Sequence, residues 1–204
     1  MARSVHRDIT VIGASAGGIG ALRTLFRALP ADYAAAAFVV LHLAPESPSI
    51  LPDILGRESL LPIAVATPDA PIRPGTVLVA PPDRHLMLDG DTVRVRLSRG
   101  PRENRHRPSI DVLFRSAAAA FAARVTGVVL SGMLDDGAVG LRAIKRRGGA
   151  AVVQDPDDAE FPDMPRNALA TVAVDHRVPV REMAPMLVAL SRERVGVTRE
   201  HVPG

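Results

Sequence analysis

The sequence predicts an α/β chain built on a doubly wound, mostly parallel sheet, and three observations predict it. Apolar runs of strand length recur between helix-compatible segments. Two of them, 37–43 and 125–131, lack polar alternation, as expected of strands covered on both faces. The first run, 9–12, stops at Gly13-Ala-Ser-Ala-Gly-Gly18 before a helical stretch, giving a strand, a tight turn and a helix. With 204 residues and 47% hydrophobic content, the chain supports one good-sized core in a single domain. That core is expected over about 8–191, with a charged tail over 192–204.

The elements follow in order. A helix over about 17–28 leads to the buried strand 37–43, a short helix around 48–57, and strands near 62–66 and 76–80. Residues 85–97 alternate instead, and Asp89-Gly90 between the alternating halves signals a β-hairpin insertion, expected to decorate one sheet edge. A polar, basic loop covers 98–107. Pro108 and Ser109 then open a helix to about Ala123, with Asp111 in its first turn. A strand at 125–131, a helix at 137–147 and a strand at 150–154 come next. A Pro-rich loop is expected over 156–165 and a closing helix over 179–190, with a frayed tail after Ser191. The alternation is Rossmann-like.

Composition excludes several functions. The chain has no Cys, which removes disulfides, thiolate metal sites and cysteine nucleophiles, and points to a reduced, cytoplasmic setting. Aromatic residues make up 3%, with no Trp and one Tyr, so base-stacking platforms are not expected. Of the 25 basic residues only Lys145 is lysine, and the net charge is +3, with the arginines scattered. Nucleic-acid binding is therefore not expected. No apolar stretch reaches the ~18 residues of a membrane span, so direct membrane insertion is not expected either. No motif calls for a metal or a cofactor.

In an open parallel sheet ligands bind beyond the carboxyl ends of the strands. Ser15 ends the first strand, His42 lies at the end of the second, and Ser131-Gly-Met-Leu-Asp-Asp-Gly137 follows the strand at 125–131, bringing Asp135 and Asp136. Each has a plainer reading alone: Ser15 as a turn residue, His42 as a core histidine, one aspartate as a cap on the helix opening at Gly137. Serine, histidine and carboxylate together at one sheet edge are the parts of a hydrolytic triad, and the joint reading favours catalysis.

These residues sit in motifs that resemble the catalytic domain of CheB, the chemotaxis receptor methylesterase, from Ile9 to about Leu190. The motifs are Gly13-Ala-Ser-Ala-Gly-Gly18, His42 followed by Pro45, Ala80-Pro-Pro-Asp-Arg-His85, Asn104-Arg-His-Arg-Pro-Ser-Ile-Asp-Val-Leu-Phe114, Ser131-Gly-Met-Leu-Asp-Asp-Gly-Ala138 and Met164-Pro-Arg166. The resemblance implies Ser15 as nucleophile, His42 as general base and Asp136, not Asp135, as the acid. It implies hydrolysis of glutamate γ-methyl esters on chemoreceptor cytoplasmic helices, releasing methanol, and deamidation of receptor glutamines by the same acyl chemistry. Backbone amides at Ala16 and Met133 are then the natural oxyanion donors. Arg105, Arg107 and Arg166 are candidates to orient an acidic receptor helix, the plainer role for Arg107 being a pair with Asp111 at helical spacing. His106 and His85 are candidate cleft residues. Ala16 stands where Thr is common, His42-Leu-Ala-Pro45 replaces a more usual His-Met-Pro, and Leu134 replaces a small residue. These departures bear on substrate preference, since none is a triad position.

Family members usually carry an N-terminal receiver domain. This chain begins at Met1, eight residues before the first strand, so the catalytic domain alone is expected, with control coming from a partner protein in trans, from localisation near receptor arrays or from expression level. Three rivals are weaker. A short-chain oxidoreductase needs Gly-x3-Gly-x-Gly, but Ile19 occupies the third position, and a Tyr-x3-Lys pair, but Tyr33 precedes Ala37. An α/β-hydrolase shares Gly13-x-Ser15-x-Gly17, yet its carboxylate precedes its histidine in the chain. A catalytically silent receptor-binding scaffold does not call for an intact Ser-His-Asp set.

Overall fold

The computed structural model describes residues 3–42 and 50–197. Pro45, and the first two residues of the helix expected at 48–57, lie outside the described residues. Seven strands form one parallel sheet: β2 (Ile9–Ala14), β3 (Ala36–Leu41), β4 (Ile63–Val65), β5 (Val77–Val79), β8 (Val125–Val129), β9 (Ala150–Gln154) and β10 (His176–Val178), in the order β10-β9-β8-β2-β3-β5-β4. The chain fills the sheet on one side of β2, then returns to fill the other side from β8 outwards. The switch in direction therefore falls between β2 and β8, where open α/β sheets form their binding crevice.

Helices cover both faces. Ile12 and Val39 pack with Leu22, Leu25 and Phe26 of α1 (Gly18–Ala28), Leu55 of α2 (Leu51–Gly56) and Leu187 of α6 (Val180–Ser191). Val11, Phe38 and Val40 pack on the other face with Phe114 of α3 (Ile110–Phe121), Leu141 and Ile144 of α4 (Ala138–Arg146) and Met164 of α5 (Asp163–Thr171). Successive residues of β2 and β3 thus enter opposite cores, which is why these runs show no polar alternation. Gly13 sets one close approach. A Cβ there would lie 2.3 Å from Ile110 Cγ2, so only glycine lets α3 begin against the end of β2.

The structure departs from the sequence reading in four places. The hairpin β6 (His85–Asp89) and β7 (Arg94–Ser98) forms its own two-stranded sheet and lies on α3, with Leu86, Leu88 and Val95 buried, rather than decorating an edge. Burying those three side chains against α3 removes more apolar surface than exposing them along β4 or β10 would. Residues 163–165, expected in a loop, start α5, because Pro165 sits in the first turn where no amide is needed. Strand β10 follows it. Finally, β1 (Arg3–His6) pairs antiparallel with β11 (Arg194–Val197), so the first part of the tail expected to fray is a strand, and 198–204 lie outside the described residues.

Candidate active site

Strand register sets the first two residues of the site. Ala14 pairs with Leu41 and Gly13 with Val129, so Ser15 and His42 lie one residue beyond the last paired positions of adjacent strands. The Ser15 amide donates to Ser131 O at 3.0 Å and the His42 amide to Ala14 O at 3.2 Å. Ser131 ties the turn down: its hydroxyl donates to Ala16 O at 2.8 Å and accepts the Phe161 amide at 2.9 Å. Gly17 has φ 70, a left-handed conformation that lets the chain turn sharply from Ser15 into α1. A Cβ there would also meet Ser131 Oγ at 2.7 Å.

His42 and Asp136 form the polar centre. His42 Nε2 and Asp136 Oδ2 are 2.8 Å apart, with both side chains almost fully buried. Burial alone would raise the Asp136 carboxyl, but donation from His42, Asn104 and the Ile110 amide outweighs it and holds the group below the usual aspartate range. An ionised carboxylate only accepts, so Nε2 carries the ring proton in neutral His42. Nδ1 is then the unprotonated nitrogen. It is buried and has no hydrogen-bond partner among the described residues. The common serine-protease triad uses the two ring nitrogens the other way round. Ser15 Oγ makes no hydrogen bond to His42 among the described residues, so what brings the two residues together is strand register and not a contact.

The flanking residues divide. Ala16 and Met133 keep amides without an acceptor among the described residues, and Met133 is half exposed. Arg105 and Arg166 are exposed and have no anionic partner among the described residues. Arg107 is committed elsewhere: Nη2 bonds Asp83 Oδ1 at 2.6 Å and Nη1 bonds Gly100 O at 2.8 Å. It is therefore neither free for docking nor paired with Asp111. The reason is that Asp111 turns toward the start of α4, whereas Asp83 lies beside the basic loop. His106 stacks face to face on His42, ring centroids 3.6 Å apart and planes 5° from parallel. Burial, and next the adjacent His42, holds His106 below the ordinary histidine value. His85 is structural: it accepts the Ser109 amide at Nδ1 and meets Pro101 O at 2.9 Å through Nε2.

Asp135 is exposed and its carboxylate bonds nothing among the described residues. Neither it nor Asp136 caps the helix that follows them; the Asp111 carboxylate does, accepting the Gly137 and Gly140 amides. Sequence reasoning missed Asn104, Ser109 and Ser131. Asn104 and Ser109 are inside a motif singled out for its resemblance, yet their partners come from distant segments that no local spacing reveals.

The residues match the CheB methylesterase family over 10–187. A Leptospira interrogans protein provisionally named protein-glutamate methylesterase/protein-glutamine glutaminase is 38% identical over 94% of this chain and 98% of its own length. An Anaeromyxobacter dehalogenans protein-glutamate methylesterase/protein-glutamine glutaminase is 42% identical over 94% of this chain, which spans 55% of that relative. The crystal structure of the Thermotoga maritima CheB methylesterase catalytic domain superposes with a TM-score of 0.87 at 29% identity, covering 91% of this chain and all of that one. The chain belongs to the CheB methylesterase family.

Proposed function

We propose that this chain is a serine hydrolase that demethylates glutamate γ-methyl esters on chemoreceptor cytoplasmic helices, with Ser15, His42 and Asp136 as its triad. The observation that carries the reading is the buried His42–Asp136 pair, with an imidazole nitrogen unpartnered among the described residues, level in strand register with a serine at the switch in strand order. His42 Nδ1 takes the Ser15 hydroxyl proton as Oγ attacks the ester carbonyl. The Ala16 and Met133 amides donate to the oxyanion, each such donor being worth about 3 kcal/mol of barrier. The imidazolium returns the proton to the methoxide, methanol leaves, and water deprotonated by His42 hydrolyses the glutamyl-enzyme to glutamate. Glutamine deamidation follows the same steps with ammonia as leaving group.

Arg105 and Arg166 present positive charge with no anionic partner among the described residues, and suit the acidic modification helices of receptors. No helix among the described residues is long and apolar enough to cross a membrane. A reaction in the cytoplasm on the receptor's own helices agrees with that.

The test is methanol release from methylated chemoreceptor membranes. The wild-type chain is expected to release methanol and Ser15→Ala to release none above background. Equal release by both contradicts the proposal.

A further inference from the structure

The Asp136 carboxylate is not held by its own loop. Oδ1 accepts Asn104 Nδ2 at 2.8 Å, Ser109 Oγ at 3.0 Å and the Asp111 amide at 3.1 Å. Oδ2 accepts His42 Nε2 and the Ile110 amide, both at 2.8 Å. Four of these five donors come from residues 104–111, so Asp136 occupies the amino end of α3, where backbone amides and the helix dipole favour an anion. Ser109 precedes α3 but its own side chain makes no cap. Asp136 supplies the cap from another segment.

The exchange is reciprocal. Asp111, in the first turn of α3, places Oδ1 on the Gly140 amide at 2.6 Å and the Gly137 amide at 3.1 Å, at the start of α4. Each helix is thus closed by a carboxylate from beside the other. Asn104 joins the two: its single Nδ2 donates to Asp136 Oδ1 and to Asp111 Oδ2, each at 2.8 Å. The amide has two N–H groups, and each satisfies one carboxylate. Two buried acids in one cluster repel, and a neutral double donor binds them together without adding charge. The loop carrying Asn104 is itself fixed to α3, by Glu103 to Arg115 at 2.5 Å, and it brings His106 onto the face of His42.

We infer that Asn104 and Asp111 are positioning residues that hold the Asp136 carboxylate against His42 through this crossed pair of helix caps. The inference rests on the triad reading above. Neither residue touches substrate in this scheme. Their effect passes through Asp136, so it belongs to kcat and disappears when Asp136 no longer carries a carboxylate.

The experiment measures kcat and KM for methanol release by the full chain on methylated chemoreceptor membranes. Asn104→Ala and Asp111→Asn are made singly and each again with Asp136→Asn. Each single change is expected to lower kcat about tenfold to a hundredfold, the scale of a misplaced catalytic group, with KM held within about twofold. In the Asp136→Asn background the same changes are expected to cost less than about twofold more. Asn104 is exposed, so Asn104→Ala keeps the test open if Asp111→Asn does not fold. Full kcat in Asn104→Ala beside an inactive Asp136→Asn overturns the positioning role and leaves the triad standing. Undiminished losses in the Asp136→Asn background also overturn it, since the residues then act by another route. Full turnover in Asp136→Asn alone overturns the triad and the inference together.

Discussion

Helices α1 and α3 begin at the same edge of the sheet, and their first turns are treated in opposite ways. The α1 start has no acidic residue and no side-chain cap, and the Ala16 amide ahead of it has no acceptor among the described residues. The α3 start is filled by the Asp136 carboxylate, which takes the Ile110 and Asp111 amides and the Ser109 hydroxyl. Both ends carry the partial positive charge of a helix amino terminus. At one, the Ala16 amide beside Ser15, the proposed nucleophile, is left without an acceptor among the described residues, although the Glu160 carboxylate lies close to Gly17. At the other, the first amides are taken by the Asp136 carboxylate that also bonds His42. The difference is one of hydrogen bonding: a carboxylate from a neighbouring segment accepts the first amides of α3, whereas none accepts those of α1 among the described residues.

The largest effect expected from breaking this arrangement is at the nucleophile. Ser15→Ala should reduce methanol release by at least about a thousandfold, as removal of triad serines does. Its unfolding free energy should move by less than about 1 kcal/mol, because Ser15 is a partly exposed turn residue. Urea unfolding beside the activity assay checks both. Next comes the closed helix start. Asp136→Asn should cost about 10³–10⁴ in kcat by misorienting the imidazole, whereas Asp135→Asn should stay within about twofold. Equal losses from the two aspartates would remove the distinction between them.

Ile19 lies in the first turn of α1 and is 39% exposed. Ile19→Glu places a carboxylate there, and should stabilise the fold by about 0.5 kcal/mol while lowering kcat severalfold through competition with the oxyanion. Stabilisation without loss of kcat would show that the α1 terminus takes no part in the reaction.

The smallest effect is a pH dependence. Burial first, and then the charge of Asp136, raises Asp111 above the ordinary 3.8, against the pull of the Gly140 amide and Asn104. From 3.8 up to that raised value, the folded chain binds more protons than the unfolded one. The contribution of Asp111 to stability therefore falls as pH rises through the window. Asp136, whose carboxyl is lowered, contributes stability above 3.8 that is lost as pH falls below it. Asp111→Asn removes the first titration. The stability of wild type minus that of Asp111→Asn, from urea unfolding between pH 3.5 and 7, should decline as pH increases. A flat or rising difference would mean that Asp111 is not strained in its ionised form.

Much of this site is legible in the chain because its three chemical residues end apolar runs. Ser15 follows β2, His42 follows β3, and Asp136 lies in the loop after β8, so hydrophobic patterning alone locates them at one edge. The supporting shell is not legible in that way. Asn104 reads as one polar residue in a basic loop, and its meaning comes from two carboxylates 7 and 32 residues away. Arg107 looks like a docking residue until Asp83, 24 residues before it, is brought alongside. The fold shows the same division. Local periodicity reveals the central strands, but the β1–β11 pair joins the two ends of the chain and has no local signature. Helix α5 is hidden because Pro162 and Pro165 resemble loop punctuation, although a proline in a first helical turn costs no hydrogen bond.

Covalent capture shows whether Ser15 is the nucleophile. The chain is treated with a fluorophosphonate, which forms a P–O bond to an activated serine and releases fluoride. Intact mass and peptide mapping then locate the adduct, while methanol release is followed on the same sample. A single adduct on Ser15 is expected, with methanol release falling in proportion to the fraction labelled. An adduct on Ser131 or another serine, or full methanol release from chain completely labelled at Ser15, would contradict it.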